Sequence, residues 1–178
     1  GLCFGRAYRI PTVALRFFNV YGSRQALSNP YTGVAAIFMG RLRSGRAPLI
    51  FEDGRQSRDF IHVSDVAGAV VRALEVEEVA TGAYNVCTGR PVEVRDVALA
   101  LARRLGVDIA PEIVGRYRTG DIRHCVGDPS RARAVLGDEA RTSFDAGLDE
   151  LIAWSTEESV LDRVDASFAE LQRQGLVR

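Results

Sequence analysis

Pro11-Thr12-Val13-Ala14-Leu15-Arg16-Phe17-Phe18-Asn19-Val20-Tyr21-Gly22 is the stretch whose reading decides the fold. From Val13 to Phe18 it is almost continuously apolar, with a β-branched residue and two aromatics. That pattern predicts a strand covered on both faces, because a half-wet strand alternates apolar with polar. Polar Asn19 and then Gly22 follow, so the chain is expected to leave the sheet there, at a carboxyl edge. In open α/β sheets ligands bind at that edge. An Asn side chain can donate two N–H bonds to a phosphate or sugar oxygen. The residues alone leave a second reading open, a buried strand whose Asn only caps a loop.

Outward from this strand, helical and extended patterns alternate. Leu2, Cys3, Phe4 and Ala7 look like the last turns of a helix already under way, and Pro11 opens the strand. No N-cap signal, charged leader or signal peptide precedes them, so the plain expectation is a longer protein that has lost its amino-terminal half. Residues 23–33 read as a surface loop. Val34, Ile37, Phe38 and Leu42 predict a helix over 33–44 that stops at Gly45, with Arg41, Arg43 and Arg46 on a solvated face. Leu49-Ile50-Phe51 is a short strand, Asp53-Gly54 a turn and Arg58–Val63 a return strand, which together predict a hairpin. Ser64 or the residue before it should cap a helix with Ala67, Val70, Val71 and Leu74 as its buried stripe. An acidic loop over 75–82 leads to a strand at 84–87.

Val94, Val97, Ala98, Leu101 and Leu105 mark a helix ended by Gly106. An edge strand over 109–114, an Arg-rich loop over 115–120 and a short extended piece over 122–126 follow. Asp128 as N-cap with Pro129 at the first helical position starts a helix ending at Gly137. Thr142 to Asp145 is a near capping box for a helix with Leu148, Leu151 and Ile152. Leu161, Val164, Phe168 and Leu171 predict a last amphipathic helix, packed on the body or on a partner chain. Alternating strands and helices argue for an α/β fold with a partly parallel sheet.

The bulk composition excludes several classes. With 178 residues the chain has room for one domain with a real core. Acidic and basic side chains balance at 23 each, so no net positive field favours nucleic acid or an anionic membrane. No apolar run approaches the roughly 18 residues of a membrane span. Cys3, Cys87 and Cys125 are far apart, which suits reduced thiols in a cytoplasmic protein, and no Cys/His spacing suggests a metal site.

Four blocks in order carry a resemblance. They are Ala14 to Gly22 with Arg24-Gln25, Ile50 to Gly54 with Ser57 to Ala67, Gly82 to Val86 closing at Gly89, and Arg118 to His124 with Asp128 to Ala132. Together they resemble the extended short-chain dehydrogenase/reductase superfamily, and within it the NAD-dependent sugar-nucleotide epimerases and dehydratases of the UDP-glucose 4-epimerase kind. The resemblance implies the last strands and helices of a Rossmann-type NAD-binding fold plus a small α/β substrate-binding cap. Residues 1–22 would end the Rossmann domain and 23–178 would be mainly substrate-binding, with about 63–89 returning to the Rossmann sheet. It implies NAD as cofactor, a nucleotide-diphosphate sugar as substrate and a homodimer of the complete protein.

By the same resemblance Phe18 would touch the nicotinamide end of NAD, and Asn19 would bond a substrate phosphate. Leu49, Ile50 and Phe51 would line the base pocket, with backbone groups reading uracil or thymine. Arg58 and Arg118 would pair with the diphosphate, and Asp121 would accept bonds from ribose hydroxyls. The chemistry is coherent, since guanidinium forks bind phosphate bidentately and a carboxylate can only accept. Without that frame, two arginines sixty apart read as unrelated surface charges, Asp121 as a turn residue and His62 as a structural histidine. Cys125 stands where many relatives carry an aromatic residue.

The catalytic kit of such enzymes is a Gly-rich loop and a Tyr-x-x-x-Lys pair, in which the Lys depresses the Tyr pKa. The chain has no Gly-x-x-Gly-x-x-Gly and no lysine. The expectation is therefore the gripping part of an epimerase, inactive by itself, with its catalytic residues upstream of Gly1. A dehydratase or decarboxylase of the same build, a non-catalytic nucleotide-sugar-binding module and an unrelated α/β interaction protein are the alternatives.

Overall fold

The structure, a computed structural model, describes residues 1–27, 32–76, 81–137, 139–157 and 164–177. In chain order its elements are α1 (Leu2–Tyr8), β1 (Val13–Phe17), β2 (Asn19–Tyr21), α2 (Val34–Arg43), β3 (Leu49–Ile50), β4 (Ser57–His62), α3 (Val63–Glu75) and β5 (Gly82–Val86). They continue with β6 (Pro91–Glu93), α4 (Val94–Leu105), β7 (Glu112–Ile113), β8 (His124–Cys125), α5 (Ser130–Leu136), α6 (Phe144–Ser155) and α7 (Val164–Arg173). No described helix is long and apolar enough to cross a membrane.

The α/β class holds, with three small sheets. β1 and β5 run parallel, Leu15 opposite Tyr84. β4 is the hub of the second sheet: it pairs in parallel with β2 and β8 and antiparallel with β6. β3 and β7 form a third, parallel pair. The deciding stretch therefore does not leave the sheet at Asn19. It breaks between Phe17 and Asn19 and passes from the β5 partner to the β4 partner, and the exit comes at Gly22, with φ 146°. β1 is also not covered on both faces. Leu15 is half-buried, but Arg16 and Phe17 are exposed, because β5 is its only sheet neighbour among the described residues.

The main core forms where α2, α4 and α6 meet. Phe38, Met39 and Leu42 of α2, Val97, Ala98 and Leu101 of α4, and Leu148 and Leu151 of α6 are almost fully buried. The predicted stripe of α4 is the observed one; in α6 Leu148 and Leu151 are buried and Ile152 half-buried, while in α2 Phe38 and Leu42 are buried as expected but Val34 and Ile37 are only half-buried and Ala35, Ala36 and Met39 are buried instead. Gly106 caps α4 in the left-handed region, where an L side chain would be strained. Two smaller clusters lie around Ile61, Val66 and Val86, and around Tyr84, Ala132 and Leu136.

Several expectations are corrected. The hairpin does not exist: β3 pairs with β7, not with β4, because the turn after Ile50 carries Glu52 at φ 53° and swings β4 into another sheet. β6 went unseen because Pro91 reads as a breaker, yet it is an edge partner of β4, where a missing N–H is tolerated. Arg41 is not solvated: it is buried, its Nε donating to Ala47 O and its guanidinium paired with Asp165. Arg43 reaches the carbonyl of Ser155. The α3 cap is His62, whose Nδ1 accepts from the Ser64 N–H, rather than Ser64 itself. The α3 stripe is shifted, with Val66 and Ala69 buried while Val70, Val71 and Leu74 are exposed. The α5 cap is Pro129, although Asp128 still accepts from the Ser130 N–H and hydroxyl. Ser143, not Thr142, caps α6. Leu161, half of the 75–82 loop and part of the 23–33 loop lie outside the described residues.

One side chain binds these sheets together. Asp59 on β4 has no exposed surface, and its two oxygens accept from Thr88 N, Thr88 Oγ1, Gly89 N and Gly127 N at 2.7–3.2 Å. Thr88 and Gly89 leave β5, and Gly127 follows β8, so a carboxylate on the second sheet holds the exits of two other strands. Removing it strands several buried donors, each costing about 1–3 kcal/mol. Asp59→Ala is expected to lower unfolding free energy by at least ~3 kcal/mol. Urea melts check this, and a midpoint unchanged from the parent would contradict it.

Candidate functional site

β4 presents alternate residues to alternate sides. Arg58 and Phe60 point away from the side on which Asp59 is buried. Beside Arg58 runs a cavity of about 390 Å³. Asn19 at the start of β2, Leu49 and Ile50 of β3, and Phe51 just after it line its walls, with Arg58, Arg118 and Asp121. All seven predicted substrate residues thus meet at one place, although 102 positions separate the first from the last. Phe18 does not join them. Its N–H donates to Val86 O at 3.3 Å and its ring lies against Gly127, where a Cβ would stand 2.6 Å from Phe18 Cζ.

The charged groups are tied to each other and to the backbone. Arg58 donates to Ser57 O at 2.9 Å, to Arg123 O at 3.0 Å and to Asp121 Oδ1 at 2.8 Å. Three of its five donor N–H groups are so engaged, leaving Nε–H and one Nη2–H for another acceptor. Asp121 was expected to meet sugar hydroxyls; here it holds Arg58 in place. The Arg118 guanidinium lies 4.7 Å from the centroid of the Phe51 ring, a cation–π distance. Phe51 in turn packs on Phe168 of α7 at 5.7 Å. The segment carrying Arg118 is pinned by the Thr119 N–H donating to Leu176 O.

Arg123 fastens this segment to the turn after β3, donating to Glu52 Oε2 at 2.7 Å and Asp53 Oδ2 at 2.8 Å. The Arg123 bond, with the Arg55 N–H, holds the Asp53 carboxyl at about 2, below its ordinary range. The sign is that of a depressed acid: the tether is intact above the usual carboxylate pKa and is lost as pH falls through about 2.

Several site residues were missed. Thr32, Gly33 and Val34 bring the start of α2 to the cavity, and Gly33 caps it with no side-chain bond. First-turn N–H groups and the positive end of a helix favour an anion there. Gln56 was missed too, although alternation on β4 puts it on the side of Arg58. Of the noted histidines, His62 is buried at the α3 cap with Nε2 3.5 Å from Glu150, and His124 shares a 2.9 Å bond with Ser57 Oγ. Neither lines the cavity. Burial first, then the carboxylates of Asp65, Asp145 and Glu150, push the Tyr21 phenol well above the usual tyrosine range, the opposite of what a base requires. Among the described residues no His, Cys, Asp and Glu group of three or more could hold a metal ion.

Residues 2–87 match the model of the NAD dependent epimerase/dehydratase family. The match falls on α1 through β5 and not on α4–α7. A dTDP-L-rhamnose 4-epimerase of Burkholderia thailandensis is 36% identical over 157 residues, 88% of this chain and 42% of the relative. A UDP-glucose 4-epimerase of Thermotoga maritima, solved with UDP-glucose, superposes with a TM-score of 0.79 at 34% identity, over 87% of this chain and 49% of that one. A UDP-N-acetylglucosamine 4-epimerase of Methanobrevibacter ruminantium, solved with UDP-N-acetylmuramic acid, gives 0.82 at 31%, over 88% and 50%. The chain spans about half the length of the relatives it matches. Residues 2–87 thus resemble the NAD dependent epimerase/dehydratase family, and over most of its length the chain is a homologue, in sequence and backbone course, of part of the NAD-dependent nucleotide-sugar epimerases.

Proposed function

We propose that this chain is the part of an NAD-dependent nucleotide-sugar epimerase that grips the substrate's nucleoside diphosphate. The observation that carries the reading is the convergence of Asn19, Arg58, Arg118 and Asp121 with apolar Leu49, Ile50 and Phe51 on one cavity. A nucleoside diphosphate is apolar and flat at one end and doubly anionic in the middle. Ile50 and Phe51 offer the flat end a wall. Arg58 with two free donors, Arg118 and the start of α2 offer the anion charge and N–H groups. Asn19 adds two amide donors, and the Asp121 carboxylate accepts from hydroxyls while it keeps Arg58 from swinging into solvent.

No Gly-rich turn joins a strand to a helix N-terminus among the described residues, and the chain has no Lys to lower a tyrosine pKa. No hydride or proton step is therefore assigned to it. In this reading residues 1–22 and about 63–89 belong to the Rossmann-type sheet, and the remainder of 23–178 to the substrate-binding portion. The parallel β1–β5 pair and the position of the family match over 2–87 support the first assignment. Phe18, just after β1 and outside the cavity, is the residue this reading assigns to the nicotinamide end of NAD. The complete protein would be a homodimer in the cytoplasm.

A dehydratase or decarboxylase built the same way would grip the same ligand, so the reaction itself is read from the complete protein. Expressed from its whole reading frame, the protein is expected to contain the Gly-rich loop and the Tyr-x-x-x-Lys pair and to interconvert the 4-epimers of a UDP- or dTDP-sugar. Nuclear magnetic resonance of the sugar anomeric signals reads this out. Loss of water or carbon dioxide instead would name a sister reaction. In the same protein, Arg58→Ala and Arg118→Ala are each expected to weaken UDP-sugar binding by about 1.5–3 kcal/mol, the scale of a charged hydrogen bond. Exposed Arg103 on α4, away from the cavity, serves as the control, and Arg103→Ala should leave affinity alone. Calorimetric affinities unchanged in both cavity variants would refute the roles assigned to them.

A further inference from the structure

α7 is held differently from the helices before it. α2, α3, α4, α5 and α6 each bury at least two side chains, whereas no described side chain of α7 is buried. Its apolar stripe, Val164, Phe168 and Leu171, forms a wall of the cavity and does not enter the core. The ties of α7 lie at its two ends. In its first turn Asp165 Oδ1 accepts from Arg41 at 2.5 Å and Oδ2 accepts from Arg46 at 2.6 Å. Arg41 stands in the last turn of α2, so each charge complements the dipole of its own helix. Beyond the other end, Leu176 O accepts from Thr119 N at 2.9 Å and Val177 forms an antiparallel bridge with Arg118. Between these ties Phe168 packs on Phe51 at 5.7 Å, with the Arg116 guanidinium 5.9 Å from its ring centroid.

We propose that α7 is a cover over the cavity that opens to admit the ligand and closes on it, with Asp165 as its latch. The proposal rests on the nucleoside-diphosphate reading above and adds a conformational step to it. Surface ion pairs and half-buried ring contacts hold a segment weakly, and buried apolar side chains hold it strongly. α7 has the first kind and lacks the second among its described residues, so it can leave the body without opening the core. A ligand shifts such an equilibrium only through contacts that differ between the two states. Here they do differ. The wall of Val164, Phe168 and Leu171 exists only while α7 is seated. Arg118, which lines the cavity, is also the residue whose backbone pairs with Val177. An anion that fixes Arg118 thereby fixes the segment to which the end of α7 is tied. Closure and binding then favour each other by the same factor. Loosening the latch should act on ligand exit, because a cover that reopens sooner shortens the bound state.

The test uses the complete protein with UDP as the probe. Hydrogen exchange read by mass spectrometry follows peptides within 164–177, and stopped-flow kinetics follows UDP release. Saturating UDP is expected to slow exchange over 164–177 on the order of fivefold or more. Asp165 is more than half exposed, so Asp165→Asn removes the charge at little risk to folding. That variant should exchange faster over 164–177 without ligand and release UDP about three- to tenfold faster, with association changed less than about twofold. Asp165→Glu, which keeps a carboxylate, should return release toward the parental rate. Exchange over 164–177 that bound UDP leaves unchanged would overturn the proposal, as would parental UDP release from Asp165→Asn. In either case UDP still binds and the nucleoside-diphosphate reading stands. No UDP binding by the parent would sink both.

Discussion

A buried carboxylate with four donors is the interaction on which the rest depends. Asp59 stands where β4 passes between the exits of β5 and β8. Its neighbour on the opposite side of the pleat is Arg58, which faces the cavity. The pleat therefore couples a structural clamp to a ligand-facing cation: the backbone that places Arg58 is the backbone that Asp59 cannot release without orphaning amide N–H groups. This explains why Arg58 can be held by two backbone carbonyls, Ser57 O and Arg123 O, in a region of short strands and loops.

The cavity charges are organised as a chain of contacts rather than as independent anchors. Asp121 holds Arg58, and Phe51 seats Arg118 on its ring. Arg123 bridges the Phe51 turn to the segment that carries Arg118 and Asp121. Exposed ion pairs contribute little to stability singly, with a median near 0–1 kcal/mol. Their value here is geometric. Each removes rotamer freedom from a long cationic side chain before an anion arrives, which is the part of the binding cost that preorganisation lowers.

Much of this was legible in the residues. The 3.6-residue stripes of α4 and α6 follow from the spacing of Val94 to Leu105 and Leu148 to Ile152, because each buries one face in the core; α2 is buried on more of its circumference than the Val34 to Leu42 spacing shows. The seven cavity positions were named from motif resemblance, which encodes a fold that spacing alone does not. What spacing hid was long-range pairing. Asp53-Gly54 looks like a hairpin turn, but Glu52 in the left-handed region re-aims the chain, and β3 finds its partner at Glu112–Ile113. The burial of Arg41 was hidden for a similar reason. Its partner Asp165 lies 124 positions away, and no local pattern announces an ion pair of that separation.

The α3 discrepancy has a different cause. Val63, Val66, Ala67, Ala69, Val70, Val71, Ala73 and Leu74 leave little of that helix polar. With apolar residues on most of its circumference, several stripes satisfy the same periodicity, and the sequence cannot say which one meets the sheet. The structure selects Val66 and Ala69, packed with Ile61 and Val86, and leaves Val70, Val71 and Leu74 exposed. A helix apolar nearly all round is one that two neighbours cover. One cover is made by β1 of one sheet with β2 and β4 of the next. In the proposed reading the second is a further part of the complete protein. On that view the stripe read from the sequence and the stripe seen in the structure are two faces of one interior helix.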